Sequence, residues 1–237
     1  MLGERVTSDN VMRDNKLDAV RRWVGDSKRW LETFLTAAPK DHSIAAIIVV
    51  GSAVRDRGHR RSDFDLLVLY RGKRPAIEAP VEVDIRLYPI EAIKTQLAAG
   101  HEVICWAMKF GTALYDPQGE WESLKRSWGH RLPLPSADEA AKRGCRSLNT
   151  AKEMLSAGDD SAASDLILAA LTQFVRARLI RHNVFPASRP ELPDQLRMVC
   201  PSDALAQLLE DAMYQDVGPS ELVDRMDAIV PSTSSSN

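Results

Sequence analysis

The sequence predicts an α+β chain, with a mixed sheet and flanking helices in the first half and an all-helical bundle in the second. Three observations carry this. Ile44 to Val50 is an unbroken, β-branched apolar run, the pattern of a strand buried on both faces. Two further strand patterns follow it, a continuous one from Phe64 to Tyr70 and an alternating one over 81–88. The stretch Leu132-Pro133-Leu134-Pro135-Ser136 then sets two prolines where no helix interior tolerates them, and beyond it every apolar period is helical. The expected boundaries are a first domain over 1–131, a helical domain over 137–230 and a disordered Ser-rich tail over 231–237.

Taken in order, residues 16–35 read as an amphipathic helix, with Leu17, Val20, Trp23, Val24, Trp30, Leu31 and Phe34 near a 3.6-residue period. Gly51 ends the first strand. Residues 55–62 form a polar, Arg-rich connection, and Arg71-Gly72-Lys73-Arg74-Pro75 is a turn by composition. The alternation over 81–88 implies a strand with one wet face. Pro89 can open a helix over 90–99, with more helix over 103–110. A short strand and its exit turn are expected over 111–117. In the second half, Ala141, Cys145, Leu148, Ala151 and Leu155 share one helical face, and Ile167, Leu171, Phe174, Arg178 and Arg181 share another. Gly158-Asp159-Asp160 is a stop followed by a cap, Ser202-Asp203 caps a helix carrying Leu205, Leu208, Leu209 and Met213, and Pro219-Ser220 starts the last helix.

Composition narrows the function classes. Thirty-one Lys and Arg against 33 Asp and Glu leave a net charge of −2, which argues against a chain whose main work is gripping long nucleic acid. Cys105, Cys145 and Cys200 are odd in number and widely spaced, so they suit neither a zinc site nor a disulfide framework and imply reduced thiols. No apolar run approaches the ~20 residues that span a bilayer. Glu4, Arg5, Asp9, Arg13 and Asp14 break any signal-peptide pattern, so a cytoplasmic protein with no membrane contact is expected.

The chemistry concentrates in Gly51-Ser52, Asp63-Phe64-Asp65 and Asp84. Residues i and i+2 of a strand face the same way, so Asp63 and Asp65 project together at the start of a core strand. Two such carboxylates repel unless a cation neutralises them, and magnesium favours a few carboxylates plus phosphate oxygens. If the third strand lies beside the second, Asp84 joins them. Three carboxylates can hold two metals about 3.5–4 Å apart, one on the attacking oxygen and one on the leaving pyrophosphate. Gly51-Ser52, at a strand end, offers backbone N–H groups and a hydroxyl to phosphate oxygens.

In this order the stretches Val49-Val50-Gly51-Ser52, Ser62-Asp63-Phe64-Asp65-Leu66-Leu67-Val68 and Val83-Asp84-Ile85 resemble the nucleotidyltransferase superfamily with the DNA polymerase β-type catalytic core. Trp106-Ala107-Met108-Lys109-Phe110-Gly111 and Leu114-Tyr115-Asp116 are similar to small bacterial members. The helical half is similar in layout to the C-terminal domains of aminoglycoside-type and minimal nucleotidyltransferases, the latter fused to HEPN-like bundles, a match that rests on helical pattern and on the turn Asn183 to Pro190. The resemblance implies a polymerase β-like catalytic domain. Asp63, Asp65 and Asp84 would be metal ligands and catalytic residues, Asp84 would help deprotonate the acceptor, and Gly51 and Ser52 would hold the triphosphate. It implies two Mg2+ ions, and ATP or another nucleoside triphosphate as donor of a nucleoside monophosphate, AMP first among them. The acceptor stays open between a small aminoglycoside-like molecule, RNA and protein, and a homodimer stays open as the assembly. The other class of function is a toxin–antitoxin or regulatory module that binds a protein with little or no catalysis.

The remaining features have plainer readings beside the functional ones. Arg55, Arg57, His59, Arg60 and Arg61 make a basic loop that either meets phosphate or is solvated. Arg176 and His182 fall within a ribonuclease-like Arg–His spacing, but a basic last turn that complements the helix dipole explains them better. Lys142, Arg143 and Arg146 suit solvated helix charges as well as phosphate contacts. Glu191, Asp194, Asp203, Glu210, Asp211, Asp216, Glu221, Asp224 and Asp227 make the last third acidic, which suits either a cationic acceptor or solvated faces.

Overall fold

The computed structural model describes residues 25–55, 64–215 and 217–229. The chain divides into two compact units, Met1–Pro133 and Leu134–Asn237.

The first unit is built on a mixed four-stranded sheet in the order β3-β2-β1-β4. Its strands are β1 (Ile44–Val50), β2 (Phe64–Tyr70), β3 (Val83–Pro89) and β4 (Thr112–Tyr115). Strand β1 is buried along its whole length, as its unbroken Ile-Ala-Ala-Ile-Ile-Val-Val run requires. It pairs antiparallel with β2 on one side and β4 on the other. Strands β2 and β3 pair in parallel, so residues 71–82 must cross back to the other end of the sheet. Edge strand β3 keeps the alternation read from its sequence, with Val83 buried and Asp84 and Arg86 exposed.

Helix α1 (Gly25–Ala37) covers one face. Its Leu31 packs with Ile47, Val49, Leu66, Val68 and Val83, and Trp30 and Phe34 join the edge of that cluster. Trp30 stacks on Phe34 with ring centroids 5.1 Å apart and donates its indole N–H to the Glu78 carbonyl at 2.7 Å, which pins the crossover. Core packing therefore accounts for Trp30; Trp23 and the earlier part of the expected helix lie outside the described residues. Helices α2 (Ile93–Ala98) and α3 (Glu102–Phe110) follow β3. Gly111 then lets the chain turn tightly against Ile48, since a Cβ there would stand 2.8 Å from its Cγ2 and 2.5 Å from the Ala107 carbonyl oxygen. Helix α4 (Glu120–Trp128) is an element the sequence reading does not contain. Asp116 starts it by accepting from the backbone N–H groups of Glu120 at 2.9 Å and Glu122 at 3.1 Å.

The second unit is helical: α5 (Ala137–Ser156), α6 (Asp160–Arg181), α7 (Leu192–Val199), α8 (Ala204–Tyr214) and α9 (Pro219–Ile229). Ser136, Asp159 and Asp203 cap α5, α6 and α8 by accepting from the N–H groups of Glu139, Ala162 and Leu205. The buried stripe of α5 is Ala140, Gly144, Leu148 and Ala151, so it starts on Ala140 where the sequence period starts on Ala141. The reason is Gly144, which has no side chain to register in a periodicity and lets α5 press against Phe174 of α6. Helix α7 is also absent from the sequence reading; its Leu192 and Leu196 join the unit's core. The Ser-rich tail lies outside the described residues.

Among the described residues no helix is long and apolar enough to cross a membrane.

Candidate active site

Register decides which side chains can meet. Asp65 pairs with Val50 on one side and with Asp84 on the other, so Val50, Asp65 and Asp84 form one row across three strands. Side chains along such a row point to the same face. The next row on that face is Ile48, Leu67 and Arg86. The two carboxylates thus stand side by side at the C-terminal end of β1 and the N-terminal ends of β2 and β3. The parallel pairing of β2 with β3 supplies the adjacency on which Asp84 depended in the sequence reading.

Adjacent carboxylates repel, and a cation answers them. The Arg86 Nε donates to Asp84 Oδ2 at 3.1 Å, and another guanidinium nitrogen of Arg86 stands 4.0 Å from Asp65 Oδ1. Asp65 is 26% exposed, Asp84 48% and Arg86 44%, so solvent and ligands reach all three.

Gly51 closes the site from the β1 end. Its φ is +77°, in the left-handed region that glycine enters without steric cost. A Cβ placed there would lie 2.1 Å from Asp65 Oδ2 and 2.9 Å from Asp65 Cγ. Residue 51 must therefore be glycine for its backbone to lie against the Asp65 carboxylate. Ser52, half-buried, opens the short helical turn Ser52–Arg55 that follows.

Asp63 and residues 56–62 of the basic loop lie outside the described residues. Among the described residues no group of three or more His, Cys, Asp and Glu side chains gathers to hold a metal ion. The two carboxylates that do come together nevertheless fit a hard divalent cation. They share a face, they already draw in a positive group, and beside them lies the Gly51 backbone, which carries no side chain of its own. Arg86 is the residue that sequence reasoning left aside; its signal was the i+2 spacing from Asp84, which sets it on the carboxylate face.

The other candidates fall to local structure. Arg178 pairs with Asp203 at 2.9 Å, Arg181 with Asp138 at 3.2 Å, and the His182 Nε2 stands 2.9 Å from the Cys200 Sγ. Arg176 is half-buried within α6. Lys142 pairs with Glu139 at 3.1 Å, and Arg143 donates to Gln173 at 3.4 Å. Much of the acidity of the last third is used inside its own unit. Arg197 holds Glu210, Arg225 holds Asp211 at 2.7 Å, and Lys152 holds Asp227 at 2.7 Å. That leaves less unpaired negative charge for a cationic acceptor than the composition implies.

Residues 31–125 match the family model described as "Nucleotidyltransferase domain". That segment contains all four strands, Gly51, Ser52, Asp65, Asp84 and Arg86. Over that segment the chain is similar to the nucleotidyltransferase domain family. Among solved structures it is similar to a nucleotidyltransferase-like protein from Exiguobacterium sibiricum 255-15, with 16% identity, a TM-score of 0.37, and coverage of 84% of this chain and 71% of that one. No curated protein gives a significant match.

Proposed function

We propose that the first unit transfers a nucleoside monophosphate, AMP in the first instance, from a nucleoside triphosphate to an acceptor hydroxyl and releases pyrophosphate. The observation that carries this reading is the pairing of Asp65 with Asp84 beside the Gly51 backbone. A structural sheet edge gains nothing from two carboxylates on adjacent strands of one face, whereas a metal-assisted phosphoryl site needs them. The family match over the same residues supports nucleotidyl transfer as the reaction class.

In this reading Asp65 and Asp84, with Asp63 as a third donor, hold magnesium through carboxylate oxygens. Magnesium, when bound, neutralises the triphosphate and the developing charge on pyrophosphate. Gly51 brings backbone N–H groups close to phosphate oxygens, and the Ser52 hydroxyl adds a donor there. Asp84, the more exposed carboxylate, accepts the acceptor's proton as its oxygen bonds to the α-phosphorus and the bond to the bridging oxygen of pyrophosphate breaks.

The test is incubation of the full chain with labelled nucleoside triphosphates, Mg2+ and separate pools of aminoglycoside-like small molecules, RNA and protein. Label should enter one pool, and the Asp65→Asn plus Asp84→Asn double variant should lose the transfer. Wild type and double variant indistinguishable in every pool would overturn the enzyme reading and leave a protein-binding module in its place.

A further inference from the structure

We infer that Arg86 is a built-in counter-cation: it holds the space a divalent ion would take between Asp65 and Asp84, and it yields that space when the metal arrives. The inference rests on the metal-dependent reading of the same site and adds a residue and a loading order to it.

Three features carry it. First, Arg86 and Asp84 lie two residues apart on one strand, so both face the same way, and the register sets Asp65 beside Asp84. Arg86 therefore reaches both carboxylates from the neighbouring row, at 3.1 Å and 4.0 Å. Second, the contact is lopsided: one hydrogen bond to Asp84 and a looser ion pair to Asp65. The strongest guanidinium–carboxylate grip uses two parallel N–H bonds to one acid; this one spans two acids as a shared charge. Third, Arg86 and Asp84 are each nearly half exposed. Pairs that wet are weakly held and release readily.

The consequence is competition. Without metal, Arg86 relieves the repulsion between Asp65 and Asp84 and keeps them together. A divalent ion must displace it, and so binds less tightly than the bare carboxylates would allow. A metal that arrives on a triphosphate brings phosphate oxygens to which the freed guanidinium can turn. Loading is thereby biased toward the metal–nucleotide complex over the free ion.

The test is titration of the full chain with Mn2+, the free ion followed by electron paramagnetic resonance, for wild type, Arg86→Gln, Arg86→Lys and Asp65→Asn plus Asp84→Asn. Thermal melts check that each variant is folded. Arg86→Gln should bind Mn2+ about two- to fivefold more tightly than wild type, the scale of losing one exposed ion pair, and the gain should shrink as salt rises. Arg86→Lys, which keeps the charge, should stay near wild type. Equal or weaker binding by Arg86→Gln, with binding still abolished in the double Asn variant, overturns the role of Arg86 and leaves the metal reading standing. Binding that survives the double Asn variant, or that no protein shows, overturns both.

Discussion

Gly51 and Asp65 occupy space that only a residue without a side chain allows: a Cβ on residue 51 would sit 2.1 Å from Asp65 Oδ2. The Asp65 backbone is locked between Val50 and Asp84 in the sheet, so the clash must be relieved by its side chain. Gly51→Ala should therefore swing the Asp65 side chain out of its row and also carry the cost of a left-handed alanine, about 1–2 kcal/mol. Stability should fall modestly. Nucleotidyl transfer should fall further, by about a hundredfold, the usual consequence of ~1 Å misplacement at a reacting centre. Thermal melts read against transfer rates check this; a rate loss no larger than the stability loss predicts would count against the site.

The same pair shows what the sequence made legible. The strands that build the site were readable because β1 and β2 are apolar enough to be core and β3 alternates. The neighbourhood of Asp84 was readable only as a condition, because a local pattern says which face a residue takes and not which strand lies beside it. Arg86 was legible on the polar face of β3 beside Asp84, but its reach to Asp65 was not, for that reason. Helix α4 escaped because its first turn is fixed by Asp116, a capping carboxylate set before Gly119 and the helix proper. Helix α7 escaped because a proline in its first turn and its short length hide a two-leucine stripe. Gly144 escaped because close helix contact through a missing side chain leaves no mark on an apolar period.

Gly144 gives a prediction of its own. A Cβ there would meet the Phe174 ring at 2.8 Å, and Phe174 is only 6% exposed, so the ring has little room to retreat. Alanine would gain about 1 kcal/mol of helix propensity. Overpacking the α5–α6 contact costs about 1–3 kcal/mol. Gly144→Ala should be neutral to destabilising by about 2 kcal/mol, and Phe174→Leu in the same chain should recover part of the loss. A double-mutant cycle by chemical denaturation reads the coupling directly.

Asp211 ties α8 to α9. It is 6% exposed and accepts from Gln207 Nε2 and from Arg225, each at 2.7 Å. Burial pushes its carboxyl up, but the hydrogen bonds from Gln207 and Arg225 and the charge of Arg225 outweigh it, so its pKa lies below the ordinary carboxylate value. A depressed folded-state pKa means stability that is present above the unfolded value near 3.9 and lost as pH falls through the folded one. Asp211→Asn should cost about 1–3 kcal/mol at neutral pH by weakening a buried, charge-assisted network. The gap between variant and wild type should close below about pH 4. Denaturation curves taken across that range check the sign; a gap that widens on acidification would refute it.

Cys105 tests the interior of the first unit. It lies on α3 with no exposed surface, its Sγ 3.9 Å from the Leu97 carbonyl oxygen, and burial pushes its thiol up to about 11. The thiolate is the reactive form, so at pH 8 Cys105 should resist maleimides and iodoacetamide in the folded protein. Cys145 and Cys200 are both part-exposed and should label first. A raised folded-state pKa also means stability that is complete below the unfolded value of 9.0 and lost as pH climbs toward about 11. Peptide mapping after timed labelling should therefore show modification of Cys105 only on global opening, with a rate that rises steeply with denaturant. Labelling of Cys105 as fast as Cys145 in native buffer would mean that α3 opens without the rest of its unit.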